Sequence, residues 1–284
     1  MAGEHVVLLG SSGMVATDLH LQLILSGYTV SAFSSESVNV VEKKSIYTAL
    51  SQVQPIDFVI NCAAFTAVDD CESHPKKAMA VNAKGPMFIA KFCAEFNIPL
   101  IHLSSDYVFN GKSNLPYTEK NSTAPLNVYG RSKLKGEEHI ANYHKSHYII
   151  RTQWVFGEHG NNFIKTIAEK IKTEKTLSIV ADQIGSPTST LDISKAIISI
   201  IQNRPKYGIY HFRNDNYCSW YELGQFIVTH LKRDVEITPI ETSASPRKAR
   251  RPKNSRLDIS KYLKAGLTAP RSWQDAVKGY LDRL

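Results

Sequence analysis

Tyr129 and Lys133 stand four residues apart in Asn127-Val128-Tyr129-Gly130-Arg131-Ser132-Lys133, at the start of a segment read as a helix. Four residues make just over one helical turn, so both side chains leave the same face. A phenol beside an ammonium suits proton transfer, because the positive charge favours phenolate and should lower the tyrosine pKa. Among the 13 tyrosines, Tyr129 alone has a lysine four residues later. Chance supplies about one such pair in a chain of this composition. Its meaning therefore rests on whether the rest of the chain offers a cofactor and a substrate.

A cofactor site is foreshadowed near the N-terminus. Gly10-Ser11-Ser12-Gly13-Met14-Val15-Ala16 follows a short apolar run, His5–Leu9, and opens a helical stretch from Val15 to about Ser26. Glycines permit a tight turn and close backbone approach to a pyrophosphate, while the helix start supplies amide donors. Ala16 is small enough for close helix–strand packing where a third glycine would serve. The Gly10/Gly13 spacing is that of short-chain dehydrogenases rather than the GxG form. After the second strand come Ser34, Ser35 and Glu36, with no acid directly ending the strand. An acid there would bind ribose hydroxyls and repel a 2′-phosphate. Its absence leans the cofactor towards NADPH, with NADH possible.

These groups need a frame. The first 150 residues alternate short β-rich runs with helical patterns, as in βαβ units around a parallel sheet. Strands are read at His5–Leu9, Thr29–Phe33, Phe58–Asn61, Leu100–Leu103 and Tyr148–Arg151, with an amphipathic stretch from Lys77 to Phe96. The expected fold is a Rossmann-type doubly wound α/β sheet with a smaller C-terminal α/β substrate-binding region. The dinucleotide-binding part is expected at 1–155, with a return near 177–202, and the substrate region at 156–176 and 203–284.

Composition narrows the classes. A chain of 284 residues with 43% hydrophobic and 21% charged content is long enough for a substantial core and ordinary for a globular protein. No apolar run reaches bilayer-spanning length, and Met1 to His5 lacks a signal-type start, so neither a membrane nor export is expected. Cys62, Cys71, Cys93 and Cys218 show no metal-like spacing, which fits reduced thiols in the cytoplasm. No catalytic metal is expected. Net charge is +8, with Arg247, Lys248, Arg250, Arg251, Lys253 and Arg256 crowded into one stretch. That stretch lacks interleaved aromatics for stacking on bases, so nucleic acid is not the expected partner. Arginine forks suit a diphosphate.

Several blocks in fixed order resemble the dTDP-4-dehydrorhamnose reductase family of extended short-chain dehydrogenases/reductases. They are Asn61–Asp69, Ser104–Phe109, Ala124–Gly130, Arg151–Phe156, Gly160–Phe163, Asp182–Thr188 and Arg250–Leu257. The resemblance implies reduction of the 4-keto group of dTDP-4-dehydro-L-rhamnose to dTDP-L-rhamnose with NADPH or NADH, in nucleotide-sugar biosynthesis. It implies Tyr129 as general acid, Lys133 holding the nicotinamide ribose, and Ser105 bonding the reacting oxygen where the family often has threonine. It implies cofactor contacts at Gly10, Ser12, Gly13, Met14, Val15, Asn39, Val40, Ala63, Ala64, Tyr129 and Lys133, Asn39 standing where aspartate is usual. Substrate contacts are implied at Val68, Ser105, Asp106, Tyr107, Trp154 and Arg251, the last at the pyrophosphate end. Some relatives hold magnesium at a dimer contact, and Asp18 falls near one such ligand position; the chain is expected as a monomer or homodimer.

Alternatives stay open at this point. A related dTDP-deoxysugar reductase, such as a dihydrostreptose synthase, would use a similar site. A dehydratase would need a second acid where Tyr107 follows Asp106. A non-catalytic subunit, as in the methionine adenosyltransferase β subunit, would not need Ser105, Tyr129 and Lys133 intact.

Overall fold

Val6 to Leu9 and Phe58 to Ile60 are unbroken apolar runs, the pattern of strands covered on both faces. In the computed structural model, which describes residues 3–284, they are neighbours at the centre of a six-stranded parallel sheet. Its strands are β1 (His5–Leu9), β2 (Thr29–Phe33), β3 (Phe58–Asn61), β4 (Leu100–Ser105), β5 (His147–Thr152) and β6 (Gly208–His211). The order is β6-β5-β4-β3-β1-β2. The chain therefore steps outward from β1 to β2, then reverses and builds the other way from β3. Such a reversal leaves a crevice outside the carboxyl ends of the strands, where doubly wound sheets take ligands.

Two helical layers cover the sheet. On one face α1 (Met14–Leu25) lies beside α5 (Thr190–Asn203), and Leu19, Leu23, Ile193, Ile197 and Ile201 pack under them. On the other face α2 (Lys43–Ser51), α3 (Gly85–Glu95) and α4 (Val128–Tyr143) cover the sheet, with Ile46, Leu50, Ile89, Phe92 and Ile140 fully buried. Each of these apolar side chains contributes roughly 1.5–3 kcal/mol of burial.

The smaller region has its own core. Thr176–Val180 pairs in parallel with Glu236–Ile240, and helices Phe163–Lys170, Trp220–His230 and Trp273–Leu281 close over them. Ser219 and Glu222 form a reciprocal capping box that fixes the start of the Trp220 helix. The return to the main sheet comes through α5 and β6. Thr176–Val180, all but its first residue within the return expected at 177–202, instead belongs to this second sheet, because its partner strand lies in the smaller region, while β6, within the substrate region expected at 203–284, pairs with β5 in the main sheet.

The stretch Lys77–Phe96 is not one regular helix. A short helix, Pro75–Met79, passes through a π-helical turn at Ala80–Lys84 before α3. The extra residue in such a turn re-aims one side chain. Here Asn82 receives a bond from the Phe65 amide (2.7 Å) and donates to the Phe65 carbonyl (3.0 Å) and to Ser132 Oγ (2.9 Å). That one amide ties the loop after β3 to α4.

Candidate active site

The turn after β1 depends on Gly10. Its φ is +80°, and a Cβ there would sit 2.6 Å from the Ala63 amide nitrogen. Both the conformation and the approach exclude other residues. The Gly10 and Ser11 amides donate to the Phe33 carbonyl at 2.8 and 3.0 Å, and the Gly13 amide donates to the Gly10 carbonyl at 3.0 Å. Gly13 caps α1 with extended backbone, leaving the first amides of the helix without side-chain partners.

The helix carrying Tyr129 and Lys133 is fixed at its start. Asn127 Oδ1 accepts from the Gly130 amide (2.8 Å), and Glu72 accepts from the Val128 amide (2.7 Å). A Cβ at Gly130 would lie 2.1 Å from the Tyr107 carbonyl, so the glycine lets α4 rest against the turn after β4. That contact sets the phenol of Tyr129 beside Tyr107, ring centroids 5.5 Å apart and edge-on.

A cavity of about 410 Å³ lies at the crevice. Its lining includes Gly13, Met14, Val15, Ala64, Val68, Ser105, Asp106, Tyr107, Tyr129, Lys133 and Trp154. The strand ends and the two helix starts thus bring together the glycine turn and the Tyr129–Lys133 pair. Gly10 and Ser12 of the turn, and Ala63 packed behind Gly10, fall outside this lining. Asn39 and Val40 also fall outside it. Asn39 Nδ2 donates to Glu42 (2.8 Å), and Val40 packs against Gly85.

Burial dominates the electrostatics. It raises the Tyr129 phenol above its ordinary value, the Ser105 hydroxyl opposes the rise, and the Asp106 charge adds to it. The net shift is upward, opposite to the lowering expected from a neighbouring lysine, and the Lys133 Nζ bonds to the Leu103 carbonyl (2.6 Å) and faces His102 Nε2 (3.3 Å). Burial also brings Lys133 down to about 8, against the favourable charge of Glu137. Asp106 is pushed up to about 6 by burial, with hydroxyls of Ser255 and Ser105 opposing. Ser105 Oγ donates to Asp106 Oδ1 (2.9 Å) and accepts from the Tyr107 amide (3.1 Å).

Among the lining residues that the sequence did not single out, two carry buried polar groups without partners. Thr152 Oγ1 and both side-chain polar atoms of Gln153 are buried without a hydrogen-bond partner, a costly state where a ligand is not meant to approach. Both lie in the block Arg151–Phe156, but nothing in its spacing separates them from core. Trp154, next in line, has φ +46°, uncommon for a bulky residue, and stacks on Trp220 at 3.6 Å.

A second cavity of about 500 Å³ shares Tyr107 with the first. Phe163 and Trp220 form an aromatic wall, with Lys170, Arg247 and Arg251 around it and no acidic residue in the lining. Lys170 and Trp220 lie fifty residues apart and carry no spacing signal, so the sequence did not reveal them. Arg251 Nη2 is also held by Asp69 Oδ2 (2.9 Å), whose other oxygen accepts from the Ala249 amide (2.9 Å). Burial pushes Asp69 up, but the Ala249 amide and Arg251 outweigh it and hold it below the usual carboxylate value. Asp18, near a position tied by resemblance to magnesium, accepts from Thr190 Oγ1 and faces His159 at 3.4 Å. Among the described residues no cluster of three or more His, Cys, Asp or Glu has metal-holding geometry.

Comparison with known proteins agrees over the whole chain. Residues 4–284 match the sequence model of the RmlD substrate binding domain. The spore coat polysaccharide biosynthesis protein SpsK of Bacillus subtilis is 38% identical, covering 97% of this chain and 96% of its own. The dTDP-4-dehydrorhamnose reductase of Escherichia coli is 33% identical, covering 99% and 98%. A crystal structure of dTDP-4-dehydrorhamnose reductase from Bacillus anthracis in complex with NADP superimposes with TM-score 0.95 at 31% identity, over 99% of this chain and 100% of that one. A UDP-glucose 4-epimerase of Thermus thermophilus shares the fold at TM-score 0.85 and 17% identity. The chain belongs to the RmlD substrate binding domain family, with the dTDP-4-dehydrorhamnose reductases among its relatives.

Proposed function

We propose that this chain is an NADPH-dependent oxidoreductase that reduces the 4-keto group of dTDP-4-dehydro-L-rhamnose, giving dTDP-L-rhamnose. The observation that carries this reading is the convergence of Ser105, Tyr129 and Lys133 with the glycine turn in one cavity. NADPH, when bound, supplies the hydride. The residues suit it: the Gly10 cradle would be filled by any Cβ, and no carboxylate directly ends β2 to repel a 2′-phosphate. Gly10 to Val15, Ala63, Ala64, Tyr129 and Lys133 would hold it.

The chain's own groups handle the oxygen and its proton. Tyr129 keeps its proton at neutral pH because burial raises the phenol, so it is present in the donor state. The proton passes from Tyr129 Oη to the developing C4 alkoxide, and Ser105 Oγ, turning its one hydrogen away from Asp106 Oδ1, donates to the same oxygen. Trp154 gives the sugar ring a flat apolar wall. In the second cavity Phe163 and Trp220 offer faces for the thymine, and Lys170, Arg247 and Arg251 offer donors for the diphosphate. Arg251 also lies 6.0 Å from the Tyr107 ring, at the junction of the two cavities.

The test is NADPH oxidation with dTDP-4-dehydrorhamnose, the product identified by NMR. Stoichiometric oxidation with dTDP-L-rhamnose formed is the expected result. A chain that binds NADPH and leaves the keto-sugar unchanged would overturn the reading, and turnover to a different sugar would move it to a related dTDP-deoxysugar reductase.

A further inference from the structure

Beneath the cavity a line of buried polar groups runs to Lys133 in α4, and its other two members, Asn61 at the end of β3 and His102 in β4, have no part in the roles above. Asn61 Oδ1 accepts from the Ala63 amide at 3.0 Å, which fixes how the side-chain amide is turned. Its Nδ2 therefore faces His102 Nδ1, at 3.0 Å. An amide NH2 can only donate, so Nδ1 must be the bare, accepting nitrogen, and a neutral ring then carries its hydrogen on Nε2. Nε2 faces Lys133 Nζ at 3.3 Å.

This orientation has a consequence for the lysine. An ammonium has three donors and no acceptor, so a charged Lys133 would set N–H against N–H. A neutral amine has one lone pair; it accepts from His102 while donating to the Leu103 carbonyl at 2.6 Å. The opposite ring tautomer only moves the clash, to Asn61, or to the Ala63 amide if Asn61 turns over. One polarity satisfies every group: Ala63 N–H to Asn61, Asn61 to His102, His102 to Lys133, Lys133 to Leu103.

We infer that Asn61 and His102 are positioning residues that select the neutral amine form of Lys133 in the ligand-free protein, by holding a fixed N–H donor against it. The inference rests on the proposed role of Lys133 but not on the identity of the sugar. Ala63 belongs to the loop proposed to contact the cofactor, so the protonation state of Lys133 is linked to how that loop sits. The other groups facing the lysine do not supply the missing acceptor. Glu137, one turn along α4, favours the charged form, but Arg151 on β5 engages both its oxygens (3.0 and 2.6 Å). Cys62 is a half-buried neutral thiol, raised to about 12 by desolvation, and Tyr129 keeps its proton. His147 on β5 adds a further unfavourable charge to any protonated His102, whose pKa burial already holds well below the usual value.

Two measurements on the ligand-free full chain test this. Two-bond proton–nitrogen correlation spectra of the histidine rings, with His102 assigned by its loss in His102→Gln, should show the Nε2–H tautomer at about pH 9, above the value of about 8 to which burial brings Lys133. An Nδ1–H tautomer or an imidazolium would overturn the inference. In Asn61→Asp, the carboxylate accepts from both sides and reverses the line, so His102 Nε2 becomes an acceptor. The Lys133 titration, read from lysine side-chain resonances and assigned with Lys133→Met, should then move up by about one pH unit or more. The same substitution in a His102→Leu background should move it clearly less. Equal shifts in both backgrounds would mean a simple field effect and would also overturn the inference. If Asn61→Asp does not fold, the tautomer decides alone. Neither readout needs a sugar, so failure here leaves the reductase reading standing, and failure of turnover leaves this one standing.

Discussion

The two cavities that meet at Tyr107 are built in opposite ways. The first gathers buried ionisable groups on strand ends and helix starts of the main sheet, with Lys133 and Asp106 both at most 2% exposed. The second is walled by aromatics and ringed by cations such as Lys170 and Arg247 that reach into solvent. Desolvated groups on a rigid frame have shifted proton affinities and fixed geometry, which suits chemistry. Aromatic faces with mobile cations suit holding a planar ring and a polyanion. Under the proposed function the contrast would separate a place for reaction from a place for recognition, and substitutions should separate them too.

The largest effect should come from Tyr129→Phe. Turnover should fall by about 10²–10⁴-fold, with NADPH binding retained. A variant keeping more than a tenth of wild-type turnover would remove Tyr129 as proton donor and dissolve the contrast. Next is the pH dependence of stability. Lys133 is lowered to about 8 in the folded protein, below its ordinary 10.5, so between those values the unfolded chain binds more protons. Stability from this group therefore rises as pH rises through that window, by roughly 3 kcal/mol at most. Urea melts of wild type and Lys133→Met should diverge there; parallel curves would show that the lysine is not desolvated.

Gly130→Ala should cost about 1–3 kcal/mol by pushing α4 off the Tyr107 carbonyl. It should lower turnover as well, since the same contact positions the phenol. A melting curve matching wild type would show that the two elements part without strain. The smallest effect belongs to the second cavity: Arg247→Ala should raise KM for the dTDP-sugar by about tenfold with kcat nearly unchanged. A fall in kcat at constant KM would mean that recognition and reaction are not separable as drawn.

The same contrast governs what could be read from the chain. His5–Leu9 and Phe58–Asn61 coincide with β1 and β3, because covered strands leave dense apolar runs bounded by turns, whereas Thr29–Phe33 coincides with β2, a half-buried edge strand, through its place between Gly27 and the serines Ser34 and Ser35. The main sheet as a Rossmann-type parallel fold follows from those runs and the glycine turn. Most of the first cavity was legible too, since its groups fall at turns and at a one-turn spacing. Pairing partners were not: Thr176–Val180 has the look of any strand, and only tertiary packing gives it to Glu236–Ile240. The π-helical turn at Ala80–Lys84 escaped because one inserted residue hardly disturbs a helical pattern, yet it aims Asn82. Trp220 and Lys170 converge from distant elements, and no local pattern announces that. Nor could spacing reveal that Lys133 Nζ would bond to the Leu103 carbonyl and face His102.

The stacking of Trp154 on Trp220, at 3.6 Å and 13° between planes, has an optical consequence. Two of the chain's three tryptophans are close enough for their excited states to couple, and they span the boundary between the two cavities. Near-ultraviolet circular dichroism should carry the signature of that coupling and lose it in Trp220→Phe. Any ligand that slides or parts the indoles will rewrite the spectrum, so the protein contains its own gauge of occupancy, needing no label and no turnover.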